Sequence, residues 1–185
     1  MPPLAFLTEP HPAPTPPRQR AAVLQTPGFG RVFTDHMVTI WCREGKGWHD
    51  AKITARGPLA MDPAAAVLHY SQQIFEGLKA YRTADGGAVM FRPGENARRF
   101  QKSAERLAMP LLPEATFVAA VDELVKVDRD WIPDGDGSLY LRPFMFASEV
   151  FLGVKPSSEY LFLVIASPVG SYFKSKDSAV SRKTA

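Results

Sequence analysis

The chain has 185 residues and 45% apolar content, enough for one sizeable domain or two small ones with a core of their own. Lys plus Arg exceeds Asp plus Glu by 22 − 19 = 3 and the charges are interspersed, so nothing in the sequence asks for a nucleic-acid partner. A single cysteine, Cys42, excludes an internal disulfide, no Cys/His group has metal-ligand spacing, and no apolar run approaches the roughly 20 residues of a bilayer span, which together point to the cytoplasm and away from the membrane.

Residues 1–26 read as a flexible, proline-rich lead-in. Seven of the 17 prolines fall in the first 20 residues, and proline fixes φ and removes an amide donor. The start has neither a basic opening nor a hydrophobic signal core, so a secretory peptide is not expected; a targeting role resting on Arg18 and Arg20 is the weaker alternative. Residues 27–170 are expected to form the domain and residues 171–185 a linker or tail.

HMVTIWCRE and WHDAKITAR, separated by Gly45-Lys46-Gly47, are rich in β-branched and aromatic residues and read as a hairpin with Cys42 buried in its first strand. Asp35 and His36 invite acid–base chemistry, but neighbours on an extended chain face opposite ways, so structural roles are expected. Asp62-Pro63 before Ala64–Leu68 reads as a short helix capped by Asp62, with Pro63 at its first position.

The stretch from His69 to Arg99 carries the densest signals. Leu78–Arg82 and Ala88–Arg92 flank Asp85-Gly86-Gly87, a hairpin whose turn needs the positive φ that glycine supplies. Pro93-Gly94 ends the strand, and Ala97, Phe100, Ala104, Leu107 and Ala108 then recur at helical spacing up to Pro110. Arg98 and Arg99 lie in the early turns of that helix. An arginine there can bind phosphate, because free amides and a guanidinium fork point the same way; a solvated helix face is the alternative.

From Pro113 and Glu114 a second helix carries Phe117, Val118, Val121, Leu124 and Val125 on one stripe, which reads as core. Asp134-Gly135-Asp136-Gly137 is a turn that lacks the ligand spacing of a calcium loop. Two strands follow, Ser138–Phe146 and Tyr160–Pro168, and the second is apolar enough to be covered on both faces. Tyr140 and Arg142, two apart on a strand, share a face where hydroxyl and guanidinium can converge on an anion; a cross-strand packing pair is the alternative. The fold class expected is α/β, an α+β sandwich in which a mostly antiparallel sheet is backed by two main helices.

HYSQQIFEGLKAYR (His69–Arg82) and FRPGENARRF (Phe91–Phe100) stand in order with FTDHM (Phe33–Met37), VDRDWIP (Val127–Pro133), SLYLRP (Ser138–Pro143), LGV (Leu152–Val154) and SPVGSYF (Ser167–Phe173). From about Phe29 to Phe173 this succession resembles the branched-chain aminotransferases, pyridoxal 5'-phosphate enzymes of fold type IV. The resemblance implies the small N-terminal domain of such an enzyme. It also implies a homodimer and exchange of an amino group between leucine, isoleucine or valine and 2-oxoglutarate, giving branched 2-oxo acids and glutamate.

By the same resemblance Arg99 is the phosphate anchor, Tyr70, Tyr140 and Arg142 surround the substrate carboxylates, and Phe29, Phe75, Leu152 and Val154 line the apolar pocket. Tyr70, Leu152 and Val154 would complete the site of a neighbouring subunit. A D-amino acid aminotransferase and an aminodeoxychorismate lyase are the near alternatives within fold type IV. The Schiff-base lysine of the family stands in a K-x-G-G-N-Y segment of a second domain, and Lys79, Lys174, Lys176 and Lys183 match no such motif. No catalytic residue is therefore assigned, and the chain is expected to be a fragment, inactive alone. A non-catalytic domain that keeps dimerisation and phosphate binding is the alternative.

Overall fold

The computed structural model describes residues 4–170, so the tail expected at 171–185, with Lys174, Lys176 and Lys183, lies outside the described residues. In chain order the elements are β1 (Leu7–Thr8), α1 (Pro17–Gln25), β2 (His36–Arg43), β3 (Gly47–Ala55), α2 (Ala66–Tyr70), β4 (Gln73–Phe75), β5 (Leu78–Arg82) and β6 (Ala88–Met90). Then come α3 (Pro93–Arg106), α4 (Glu114–Val127), a 3₁₀ turn at Arg129–Trp131, β7 (Ser138–Ala147) and β8 (Glu159–Val169).

The strands form one sheet in the order β1-β3-β2-β8-β7-β5-β6, with β4 also pairing β7. Every pairing is antiparallel except that of β1 with β3. This matches the sandwich expected from the sequence, and its physical basis is the alternation of side chains along each strand. Val38 and Ile40 of β2, Leu139 and Leu141 of β7, and Phe162 and Val164 of β8 join Ala97, Phe100 and Ala104 of α3 and Phe117 and Val121 of α4 in one core. Phe100, Phe117 and Phe162 interlock there with ring centroids 5.4, 5.5 and 6.0 Å apart. Tilted aromatic pairs of this kind add about 0.5–1.5 kcal/mol beyond the area they bury.

The residues between those positions point to the opposite side of the sheet. There Met37, Phe146, Leu161 and Leu163 form a smaller cluster, against which Val67 of α2 packs. The central strand β8 therefore feeds apolar residues to both sides, as its composition requires.

Turn chemistry sets the boundaries. Gly86 sits at φ 79° in the β5–β6 turn, and Gly45 and Gly47, at 77° and 71°, close the β2–β3 hairpin. Strand β6 stops at Met90 rather than Arg92, because Arg92 adopts the left-handed conformation from which Pro93 opens α3. Pro93 is favoured there, since its fixed φ suits the first helical position and its missing N–H had no partner to lose.

Two expectations need correction. Residues 4–26 of the lead-in carry regular structure: Leu7–Thr8 pairs β3 and forms the outermost strand on that side of the sheet, and Pro16-Pro17 start a nine-residue helix instead of preventing one. Asp62 does not cap α2, which begins at Ala66; its carboxylate accepts the Ala64 N–H at 2.8 Å and shapes the turn before the helix.

Asp35 and His36 serve separate structural bonds, as their adjacency dictates. Asp35 accepts from the Thr15 N–H and hydroxyl at 3.1 and 2.5 Å and from the Trp131 indole at 2.9 Å, whereas His36 Nδ1 lies 2.6 Å from Asp128 Oδ1. Burial alone would raise the Asp35 carboxyl, but these donors together hold it below the ordinary value. No helix among the described residues is long and apolar enough to cross a membrane, and no cluster of potential metal ligands is found among them.

Candidate functional site

The alternation of β7 that sends Leu139 and Leu141 into the core turns Tyr140, Arg142 and Phe144 to the other side. Near the end of β7 that is paired with β5, this side holds an open cleft of about 250 Å³, lined by Phe29, Phe33, Tyr140, Arg142, Ile165 and Ser167 among others. Phe29 hangs over it from a loop whose flanking Gly28 and Gly30 both have positive φ, and its ring lies 5.7 Å from that of Tyr140.

The Arg142 guanidinium donates to the Tyr140 hydroxyl from Nη2 at 2.7 Å and from Nε at 3.2 Å. Its carbon stands 4.5 Å from the centre of the Phe75 ring, which holds the cation against an aromatic face. Among the described residues Arg142 pairs with no carboxylate, and the Tyr140 hydroxyl accepts without donating. The pair thus presents an O–H and the remaining guanidinium N–H groups beside apolar rings, a donor set suited to a carboxylate attached to a hydrocarbon chain.

Arg99 does not line this cleft. It lies on α3, and its fork donates from Nε at 2.6 Å and from Nη2 at 2.5 Å to the Glu76 carboxylate. Asn96, one turn earlier on the same helix face, donates to Glu76 Oε2 at 2.9 Å and to the Gly77 carbonyl at 3.2 Å. Glu76 is only 5% exposed, which by itself would raise its carboxyl, yet the hydrogen bonds from Arg99 and Asn96 bring it below the ordinary carboxylate value. The Arg99 side chain remains 66% exposed, and its pairing with Glu76 holds it more firmly charged. Nε and Nη2 are engaged by Glu76, and among the described residues Nη1 has no hydrogen-bond partner on a largely exposed side chain, so the residues present still fit a contact to one phosphate group.

Tyr70, Leu152 and Val154 form a separate group. The Tyr70 hydroxyl donates to the Leu152 carbonyl at 2.5 Å, and Tyr70 and Val154 border a second cleft of about 360 Å³ with Phe151 and Lys155. Val154 is 93% exposed and Leu152 63%. The structure thus assembles Phe29, Phe75, Tyr140 and Arg142, ties Arg99 to Glu76, and leaves Tyr70, Leu152 and Val154 apart from both.

Sequence reasoning missed Glu76, Gly77 and Asn96. A signal was present: a glycine inside a strand-like run marks a close approach, and an acid beside it on an aromatic-rich stretch needs a partner.

No protein-family model matches the chain. It is 60% identical over 157 residues to the probable branched-chain-amino-acid aminotransferase of Streptomyces coelicolor, covering 84% of this chain and 43% of that protein. With the branched-chain-amino-acid aminotransferase of Mycobacterium tuberculosis H37Rv it shares 53% over 165 residues, 88% of this chain and 45% of the relative. Among solved structures, the T.th. branched-chain amino acid aminotransferase with pyridoxamine 5'-phosphate matches at a TM-score of 0.54 and 28% identity, over 74% of this chain and 41% of that one. The same protein complexed with 4-methylvaleric acid matches at 0.53 and 25%, over 70% and 40%. The chain spans under half the length of the Streptomyces and Mycobacterium relatives.

Proposed function

We propose that this chain, which belongs to the branched-chain aminotransferases of fold type IV, supplies the carboxylate-binding and part of the phosphate-binding side of a transaminase acting on leucine, isoleucine or valine and 2-oxoglutarate. The observation that carries the proposal is the Tyr140–Arg142 donor pair set between the Phe29 and Phe75 rings. Apolar walls favour a branched side chain at about 0.8 kcal/mol for each buried methylene, while one fixed cation receives the second carboxylate of glutamate or 2-oxoglutarate.

Arg99 would hold the phosphate of pyridoxal 5'-phosphate, a cofactor that supplies the electron sink of transamination when bound. A Schiff-base lysine is not among the residues assigned to this chain. Residues 27–170 are proposed as the aminotransferase domain, 1–26 as its lead-in and 171–185 as a linker, in a cytoplasmic homodimer. The exposed Leu152 and Val154 support self-association, because they place apolar surface where a second copy could cover it.

The test is transamination from leucine to 2-oxoglutarate by the full-length protein carrying this sequence, compared with Arg142→Ala. Loss of a charge-assisted contact should lower kcat/KM for 2-oxoglutarate by about 30- to 100-fold, and that for leucine less. An unchanged ratio between the two substrates would remove Arg142 from the carboxylate site.

A further inference from the structure

Phe75, Glu76 and Gly77 are consecutive, and each does something different at the site. Phe75 backs the Arg142 cation, Glu76 takes the Arg99 fork, and Gly77 does its work by having no side chain. A Cβ placed on Gly77 would stand 2.5 Å from the Tyr140 hydroxyl oxygen and 3.1 Å from the carbon bearing it. Real Cβ atoms do not approach other atoms that closely, so the phenol occupies the volume the glycine leaves empty. Gly77 is not among the residues with positive φ, which means that backbone conformation does not require a glycine here. Space does.

The phenol cannot swing aside without consequence. Its ring packs against Phe29, and its oxygen is the acceptor that fixes both Nε and Nη2 of Arg142. A methyl group at position 77 would push on the hydroxyl first, and through the hydroxyl on the guanidinium.

We propose that Gly77 is a specificity-determining position: the absence of its side chain sets the reach of the Tyr140 hydroxyl and so the spacing of the Tyr140–Arg142 pair that receives a distal carboxylate. The inference rests on the reading of this cleft as a dicarboxylate site. Gly77 touches no substrate itself; it is a positioning residue that acts through Tyr140.

The experiment is a double-mutant cycle in the full-length protein, with glutarate as a non-reacting dicarboxylate and 4-methylvalerate as an apolar monocarboxylate, both measured by calorimetry. Gly77→Ala should weaken glutarate by about tenfold, the equivalent of one charge-assisted hydrogen bond, and 4-methylvalerate by much less. In a Tyr140→Phe background, where the colliding oxygen is gone, the same Gly77→Ala change should cost glutarate less than about twofold. The ring ¹³C resonances of Tyr140 should move in Gly77→Ala, a response that a general loss of stability would not give.

Equal losses in both backgrounds would overturn the inference, since Gly77 would then act through the backbone. Tyr140→Phe without effect on glutarate would overturn the underlying reading of the cleft instead. If Gly77→Ala proves too unstable to measure, Gly77→Ala/Tyr140→Phe should still fold, because only the hydroxyl makes the severe clash; a double variant that also fails to fold overturns the inference.

Discussion

Arg98 and Arg99 are adjacent on α3 and carry the same charge, yet the structure gives them different work. Arg98 pairs with Glu95 and Glu114 on an exposed surface, whereas the Arg99 fork closes on a carboxylate that is 5% exposed. Arg99→Ala leaves Glu76 with Asn96 and little else to stabilise its charge, and breaking a fully buried pair in this way costs about 3–5 kcal/mol. Because the Arg99 side chain is 66% exposed, water and salt recover much of that, so a loss of about 1–2 kcal/mol is expected. Urea unfolding followed by circular dichroism at pH 7 reads it directly, with Arg98→Ala expected to lie near wild type. Glu76→Gln/Arg99→Ala should regain part of the loss, since a neutral amide needs no cation. In the full-length protein the affinity for pyridoxal 5'-phosphate should fall by about 2 to 4 kcal/mol for Arg99→Ala and far less for Arg98→Ala. Equal unfolding midpoints would refute the buried-carboxylate argument, and equal affinity losses would mean that a diffuse basic field holds the cofactor.

The same carboxylate makes an acid-sensitive element: its native pKa lies below its ordinary 4.5, so the unfolded chain takes up the proton first and stability falls as pH drops below that value and through the native one. Unfolding midpoints measured from pH 6 down to about pH 3 should decline less steeply for Glu76→Gln, and parallel curves would exclude Glu76 as a source of the slope. Leu152→Ser/Val154→Ser should shift the protein toward monomer in sedimentation with its secondary structure intact, because both side chains are exposed and neither belongs to the core; an unshifted distribution would place self-association elsewhere.

What the sequence disclosed was decided by local chemistry. Strands β2, β3, β5, β7 and β8 and helices α3 and α4 were legible because alternation, helical periodicity and the glycines and prolines at their ends all agree. The lead-in was misread for a physical reason: prolines forbid helix interiors but favour helix starts, and Pro16-Pro17 occupy a start. That Tyr140 and Arg142 share a face followed from strand period, with a packing pair left open; their hydrogen bonds to each other are what the structure adds. The bond from Arg99 to Glu76 did not, because it joins residues 23 apart whose meeting depends on how α3 packs over β4. Nor did the use of Gly77, since a missing atom has meaning only against the neighbour that fills its place.

The sheet separates two kinds of demand. On its helix-covered side, apolar residues of the strands meet α3 and α4 and supply stability; on its other side, β7 and β8 carry Tyr140, Arg142, Ile165 and Ser167 into the cleft, over which the loop before β2 lays Phe29 and Phe33. Around Tyr140 and Arg142 a substitution in β7 therefore affects folding or binding according to the parity of its position, whereas Phe146, Leu161 and Leu163 on the cleft side of the sheet belong to its second apolar cluster. Phe75, Glu76 and Gly77 escape that rule because β4 ends at Phe75 and β5 begins only at Leu78, so three successive residues reach the cleft, α3 and Tyr140 in turn. This short gap in the ladder is where the geometry of Arg99 on the helix and that of Arg142 in the cleft are set together, and it is the segment in which single substitutions should couple the two.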